Sequence, residues 1–185
     1  MELIRGISGI RGIVGKILTE SVVIRHIQAF SEIQSTGAIL LARDSRAHGA
    51  SFIHTAAEAL SGCGRNVINY GIIPTPTAQF LVEQNKLAGG IVITASHNPI
   101  QWNGLKFIDA NGCFLSGDKN KKLFAIADSD QTHDFTSGSV QSIENGYLPH
   151  INHTLNLSII DAEAIEKRNF TVVVDAVNGA ASSAL

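Results

Sequence analysis

The chain has 185 residues, of which 44% are hydrophobic and 16% are charged, and its formal net charge is −2. This composition is typical of a soluble globular protein and offers no strongly basic surface for nucleic acid. The start of the chain lacks the apolar core of a signal peptide, and no segment approaches the ~20 apolar residues that cross a bilayer. We therefore expect a cytoplasmic protein that binds neither nucleic acid nor a membrane.

Short β-branched runs alternate with helical patterns along the chain, which predicts an α/β layered domain. Thr75 is the expected N-cap of a helix that has Pro76 in its first turn, and Gly62 is the expected C-cap of the helix before it. The predicted elements are, in chain order, a helix at 23–34, a strand at 38–44, a helix at 53–62, a strand at 65–71, a helix from 75, strands at 89–95 and 105–109, and a helix after Ser116.

The strands at 89–95 and 105–109 are joined by a loop rich in Asn, Pro and Gly, so we expect them to pair as a hairpin in a mixed β-sheet. The polar stretch 128–146 has the composition of a connecting segment. A helical stretch, a predicted strand at 171–176 and a glycine turn follow it. Because these elements cannot bury their own faces, we assign 1–146 to a first domain and 147–185 to the start of a second, truncated α/β domain.

The segment TASHNP (94–99) follows the apolar strand at 89–95 and places Ser96 and His97 just beyond the strand's end. Ligands bind there in open α/β sheets, and Lys106 returns on the neighbouring strand. A decorated hairpin turn is the simpler alternative. A serine hydrolase would need the G-x-S-x-G elbow, which this stretch lacks. A phosphoryl acceptor would instead need nearby cations, which Lys106, His97 and Arg11 could supply.

Three other clusters each leave two interpretations open. The glycine-rich stretch 6–12 is either a flexible anion-binding loop that presents Arg11 or an ordinary N-terminal turn. Arg43, Asp44 and Arg46 form either part of a ligand site or a structural ion-pair loop. His150 and His153 have no third metal ligand nearby, so a solvated helix face is the preferred interpretation.

The segment TASHNPIQWNGLKF (94–107) resembles the active-site loop of the α-D-phosphohexomutase superfamily, whose pattern is TASHNP followed by N-G-x-K. SGIRG (8–12) is similar to the family's N-terminal S-G-x-R-G loop, and ARDSR (42–46) to its G-R-D-x-R loop. VVVDAVNGAA (172–181) resembles the start of the family's second domain. The resemblance implies a phosphoglucomutase, phosphomannomutase or phosphoglucosamine mutase, and leaves the sugar open.

The resemblance also implies specific roles. Ser96 would be the phosphoserine that exchanges a phosphoryl group with a hexose phosphate through a hexose 1,6-bisphosphate intermediate. His97 and Lys106 would serve in acid/base and charge-stabilising roles, and Arg11 would approach the same phosphate. Mg²⁺ would bind an oxygen of phosphorylated Ser96, with its other ligands on a D-G-D-x-D-R loop that this sequence lacks.

Since the sequence also lacks the family's sugar-recognition loop and distal phosphate loop, we expect these 185 residues to be an N-terminal part that is inactive alone. The expected partner is a hexose phosphate, and a homodimer is an open possibility. The alternative hypothesis is a stand-alone, non-catalytic phosphosugar-binding module.

Overall fold

The computed structural model describes residues 2–129 and 136–184 of the chain. Its strands are β1 (Ile4–Gly6), β2 (Gly9–Ile13), β3 (Ile39–Arg43), β4 (Val67–Ile72), β5 (Gly89–Ile93), β6 (Trp102–Asp109) and β7 (Val140–Ser142). Its helices are α1 (Glu20–Ile33), α2 (Gly49–Gly62), α3 (Thr75–Gln84), α4 (Gly117–Ala127), α5 (Leu148–Leu155) and α6 (Ala162–Lys167), followed by a 3₁₀ turn at Ser182–Ala184. Among these helices, none combines the length and apolar character that a membrane crossing requires.

The strands form one mixed sheet in the order β1-β2-β6-β5-β3-β4-β7. Strand β3 lies parallel to both β4 and β5, whereas β5 and β6 are the antiparallel hairpin that the sequence predicts. Strands β2 and β1 continue the antiparallel half. The mixed α/β architecture is therefore confirmed.

Helices cover both faces of the sheet, and β3 shows why its sequence is continuously apolar. Ile39 and Leu41 point into a core shared with α1, α2 and α4, while Leu40 and Ala42 point into a second core shared with α3. Strands buried on both faces read as uninterrupted apolar runs, because successive side chains alternate between the two cores. Phe30 of α1 stacks on Phe107 of β6, with ring centroids 5.3 Å apart, inside the larger core.

Local capping fixes the helix ends, with two differences from the sequence prediction. Ser116 is the N-cap of α4 and accepts a hydrogen bond from the Lys119 amide. Helix α3 begins at Thr75, but its N-cap is Pro74 rather than Thr75. Helix α2 includes Gly62, and the left-handed backbone that favours glycine falls instead at Gly64, whose φ is +75°.

The structure corrects the sequence prediction at three further places. The stretch 6–12 is not a flexible loop, since most of it belongs to β2 and pairs with β6. The stretch 128–146 contains strand β7, which lies parallel to β4, while residues 130–135 of that stretch lie outside the described residues. The predicted strand at 171–176 has no strand conformation, and Val173 is 92% exposed. A strand needs hydrogen-bonded partners, and no described strand pairs with this segment.

The segment after residue 146 contacts α3 through α5. The rings of His150 and His153 lie over the Phe80 ring of α3, with centroids 4.8 and 4.9 Å away. His150 Nδ1 also forms a hydrogen bond of 3.0 Å with Thr77 Oγ1. The two histidines therefore serve as packing residues against α3, rather than only as a solvated face.

Candidate active site

Ser96 lies just beyond the carboxyl end of β5, beside the end of the parallel strand β3. Its φ is +56°, a left-handed backbone conformation that is uncommon for a residue other than glycine and clusters at functional sites. The Ser96 amide donates a 3.0 Å hydrogen bond to Thr94 Oγ1. The Ser96 side chain is exposed, so the fold presents this hydroxyl to solvent at the sheet edge.

His97 places a titratable side chain beside that hydroxyl. Its Nδ1 lies 3.4 Å from Ser96 Oγ, at the long end of hydrogen-bonding distance. Hydrogen bonds of a catalytic pair are often long before substrate binds, so the geometry suits a base that accepts the serine proton.

Lys106 reaches the same place from β6, where it pairs across the hairpin with Val92. It is half-buried, and its ammonium lies 5.5 Å from the centroid of the Phe114 ring. Burial lowers the pKa of Lys106, an effect that the carboxylate of Asp44 partly opposes. Lys106 is thus a partly desolvated cation that gains from an anionic partner.

Arg11 is brought beside β6 by a close approach of two backbones. It pairs with Gly104 in the β2–β6 ladder. Gly9 has a φ of +122°, and a Cβ there would lie 2.0 Å from the Leu105 carbonyl oxygen. Only glycine fits this position, and its absence of a side chain lets β2 lie against β6 with Arg11 exposed at the cavity.

These side chains surround one cavity of about 210 Å³. All four residues singled out from the sequence contribute to its wall: Arg11, Ser96, His97 and Lys106. A hydroxyl, an imidazole and two cations therefore share a space that suits a phosphate-sized anion. The structure shows this placement; the chemical roles of the four residues stay predictions.

The ARDSR stretch makes the contacts expected of a structural ion-pair loop, and its Asp44 and Arg46 also border a cavity beside Ser96. Asp44 Oδ2 pairs with Arg46 Nε at 3.2 Å and also accepts a 2.7 Å hydrogen bond from Thr94 Oγ1. Arg43 donates to the Asp44 carbonyl. These contacts form a structural ion-pair loop beneath the Ser96 turn. Thr94, which is buried and lies two residues before Ser96, was not singled out from the sequence, because its tertiary partner is 50 residues away.

The described residues do not by themselves form a Mg²⁺ site. They contain no group of three or more acidic, histidine or cysteine side chains placed to hold a metal. Asp44 is the carboxylate beside the serine loop, and its oxygens already accept hydrogen bonds from Arg46 and Thr94.

The phosphoglucosamine mutase of Prochlorococcus marinus (strain MIT 9312) is 31% identical over 185 residues, an alignment that covers 99% of this chain and 41% of that protein. The phosphoglucosamine/phosphogalactosamine mutase of Sulfurisphaera tokodaii is 32% identical, with 97% and 41% covered. The chain thus spans well under half the length of these curated relatives. A phosphoglucomutase/phosphomannomutase family protein from Burkholderia thailandensis superposes with a TM-score of 0.68 at 28% identity, with 82% of this chain and 35% of that chain covered.

The family profile described as "Phosphoglucomutase/phosphomannomutase, alpha/beta/alpha domain I" matches residues 2–134. The match takes in β1 to β6 and α1 to α4, and so contains all four residues that line the cavity. The sequence match and the superposed fold agree with the resemblance carried by the TASHNP loop. The chain belongs to the phosphoglucomutase/phosphomannomutase family, of which it carries domain I.

Proposed function

We propose that this chain is the catalytic-serine part of a phosphohexomutase, which interconverts hexose 1-phosphate and hexose 6-phosphate. One observation carries the proposal: the Ser96 hydroxyl, on a left-handed turn, shares a cavity with two cations from neighbouring strands. A hydroxyl in such a field suits a phosphoryl acceptor, since transfer depends on positioning and charge stabilisation.

In the proposed step, Ser96 Oγ attacks a phosphorus of a hexose 1,6-bisphosphate. The Oγ–P bond forms while the bond between that phosphorus and the sugar oxygen breaks. The serine proton passes to His97 Nδ1, and the sugar oxygen that leaves takes up one proton, so the exchange consumes no water. In the next half of the cycle the Oγ–P bond breaks as the phosphoryl group moves to the free 6-hydroxyl of a hexose 1-phosphate, which regenerates hexose 1,6-bisphosphate. After the bisphosphate reorients, Ser96 takes its 1-phosphoryl group and hexose 6-phosphate is released.

Arg11 and Lys106 would stabilise the negative charge of the phosphoserine product. A phosphoserine carries about −1.5 to −2 charges near neutral pH. Arg11 is exposed and Lys106 half-buried on the cavity wall, so one cation is accessible and the other partly desolvated. A bound phosphate would favour the charged form of Lys106 and so counteract the effect of burial on its pKa.

The sugar, the metal and the compartment follow as parts of the same proposal. The relatives named above are phosphoglucosamine mutases, so glucosamine phosphate is the hexose phosphate to test first. Mg²⁺, which the family resemblance implies, would be held in part by phosphorylated Ser96 and would supply further positive charge for phosphoryl transfer. We propose the cytoplasm as the compartment, where Cys63 and Cys113 remain the free thiols that the structure shows.

The test is phosphate transfer to Ser96 in the complete protein. After incubation with a hexose 1,6-bisphosphate, peptide mass spectrometry should find phosphate on Ser96, and a coupled assay should show mutase turnover. Ser96→Gly removes the hydroxyl but tolerates the left-handed backbone, so it should fold and take up no phosphate. Ser45→Ala, in the neighbouring exposed loop, is the matched control and should behave like the wild type.

Two outcomes would contradict the proposal. Phosphate on Ser45 or Ser116 with Ser96 unmodified would overturn the assignment of the acceptor. Binding of a hexose phosphate without phosphorylation or turnover would instead support the non-catalytic binding module.

A further inference from the structure

The loop that carries Ser96 is tied to the half-buried guanidinium of Arg46. Nη2 of Arg46 donates to the carbonyl oxygens of Ser96 at 2.9 Å and Asn98 at 2.6 Å. Its Nη1 donates to the carbonyl oxygens of Pro99 at 2.9 Å and Trp102 at 3.0 Å. Its Nε donates to Asp44, as described above. A guanidinium has five N–H donors, and all five have protein partners here.

The other side of the Ser96 peptide is held by the same ion pair. Asp44 accepts from Arg46 and from the Thr94 hydroxyl, and Thr94 Oγ1 in turn accepts from the Ser96 amide. The amide and the carbonyl of Ser96 are therefore both fixed, one through Asp44 and Thr94 and the other directly by Arg46. A residue in a left-handed conformation persists only where its surroundings hold it, and this arrangement does so.

We propose that Arg46 is the positioning residue for the Ser96 hydroxyl, an inference that rests on the proposed phosphoryl transfer. Its side chain is only 13% exposed, its charge is paired with Asp44, and it does not line the cavity that contains Ser96, Lys106 and Arg11. Arg46 also borders a second cavity beside Ser96, but all five of its N–H donors are taken by Asp44 and by loop carbonyls, so it acts on the loop and not on the phosphate. It sets the direction of Ser96 Oγ toward the two cations and His97.

The role requires arginine rather than any cation. The carbonyl acceptors of Arg46 are spread over a turn from Ser96 to Trp102. The planar guanidinium, whose N–H donors point in several directions, reaches all of them from one position. A lysine ammonium has three donors on a single atom, so it would leave at least two of the five acceptors without this partner. Arg46→Lys therefore keeps the positive charge but loses the donor directions that match the loop carbonyls.

The chain contains a matched control for this substitution. Arg65 also uses its guanidinium on backbone carbonyls, those of Ser31, Ser35 and Gln34 at the end of α1. It precedes β4 and so lies at the amino-terminal edge of the parallel strands, opposite Ser96. Arg65→Lys therefore disturbs a comparable structural arginine away from the cavity.

The experiment compares the two lysine variants with the wild type in the complete protein, below the melting temperature of each. Arg46→Lys should lower kcat by about 10²-fold with little change in KM, because a displaced nucleophile affects the chemical step. Hydrogen exchange of the Ser96 amide should become about ten-fold faster. Arg65→Lys should lower Tm and leave kcat and the Ser96 amide unchanged. In Arg46→Ala, added guanidinium ion should restore part of the lost kcat.

The outcomes distinguish failure of the positioning role of Arg46 from failure of the proposed phosphoryl transfer. Wild-type kcat and wild-type exchange at Ser96 in Arg46→Lys would overturn the positioning role. Equal loss of kcat in both variants, in step with Tm, would overturn it as well, since general destabilisation would then explain the effect. A wild type that takes up no phosphate would refute the proposed function. The exchange of the Ser96 amide would still show whether Arg46 positions the loop.

Discussion

His26 makes the stability of the domain depend on pH. It lies on α1 with 1% of its surface exposed, and its Nδ1 donates a 2.7 Å hydrogen bond to the Val22 carbonyl. Its Nε2 faces the guanidinium of Arg5, which forms an ion pair with Asp128. Burial, together with the positive charges of Arg5 and Arg25, lowers the pKa of His26 from 6.5 to about 4, although the Val22 hydrogen bond and Asp128 act in the opposite direction.

The sign follows from proton binding. Between pH 6.5 and about 4, the unfolded chain protonates His26 and the folded chain does not, so acid favours the unfolded state. The lost stability is about 2 kcal/mol at pH 5 and about 3 kcal/mol below pH 4. The ion pair with Arg5 lowers the pKa of Asp128 below its ordinary 3.8, so that carboxylate stays ionised at pH 5.

The assay is urea unfolding of the chain at pH 7.5 and pH 5.0. The wild type should lose about 2 kcal/mol more than His26→Gln, whose side chain does not titrate. His54→Gln is the matched control, because the His54 side chain is 75% exposed on the neighbouring helix α2. It should keep the pH dependence of the wild type.

Two results would refute this reasoning. One is the same loss of stability between the two pH values in the wild type and in His26→Gln. The other is an NMR titration of the His26 ring with a midpoint near 6.5, which would mean that the folded state does not exclude the proton.

Three further predictions concern the cavity and the sheet. In the complete protein, Lys106→Ala should lower turnover about 10²-fold or more through loss of a partly desolvated cation, whereas the exposed Lys122→Ala should have little effect; equal effects would exclude that role. Gly9→Ala should cost about 2–4 kcal/mol of unfolding free energy because its Cβ meets a backbone oxygen, and Gly6→Ala, which meets nothing within 4 Å, should cost less than about 1 kcal/mol in the same urea titration. The 185-residue chain alone should show no mutase turnover in a coupled assay with Mg²⁺ and hexose 1,6-bisphosphate, and robust turnover would contradict this.

The central strands could be predicted from the sequence because burial on both faces leaves a simple pattern. Strand β3 is apolar up to its last residue, Arg43, and β5 is apolar throughout. Asn98 and Pro99 mark the turn of the hairpin, whereas Asn103 and Gly104, which also suggested a turn, lie inside β6. Strand β2 was missed because glycines usually indicate a turn. In β2, Gly9 is required instead by the backbone of Leu105, which is close in space but distant in sequence. Strand β7 has three exposed residues, so it has no periodicity to detect.

The predicted strand at 171–176 was wrong because its sequence favours a strand but its surroundings do not. Three consecutive valines favour an extended backbone, but β propensity describes how a side chain fits beside neighbouring strands. Among the described residues no strand lies beside this segment, and it stays unpaired.

The candidate site also has a part that the sequence predicts and a part that it does not. Ser96, His97 and Lys106 could be placed together from the sequence, because a single hairpin carries all three. The sequence suggested the ion pair of Asp44 with Arg46 only as one of two interpretations. The hydrogen bonds from Arg46 to the carbonyls of Asn98 and Trp102 could not be predicted, because these residues lie more than fifty positions away in the sequence.

The same topology sets the order in which the cavity is completed during folding. Strands β5 and β6 are joined by a short loop, so serine and lysine are brought together by a local hairpin that closes at low entropic cost. Arg11 arrives only when Ile10 pairs with Leu105, a contact between distant parts of the chain that forms slowly. We therefore expect a refolding chain to bring Ser96 and Lys106 together before Arg11 of β2 joins them.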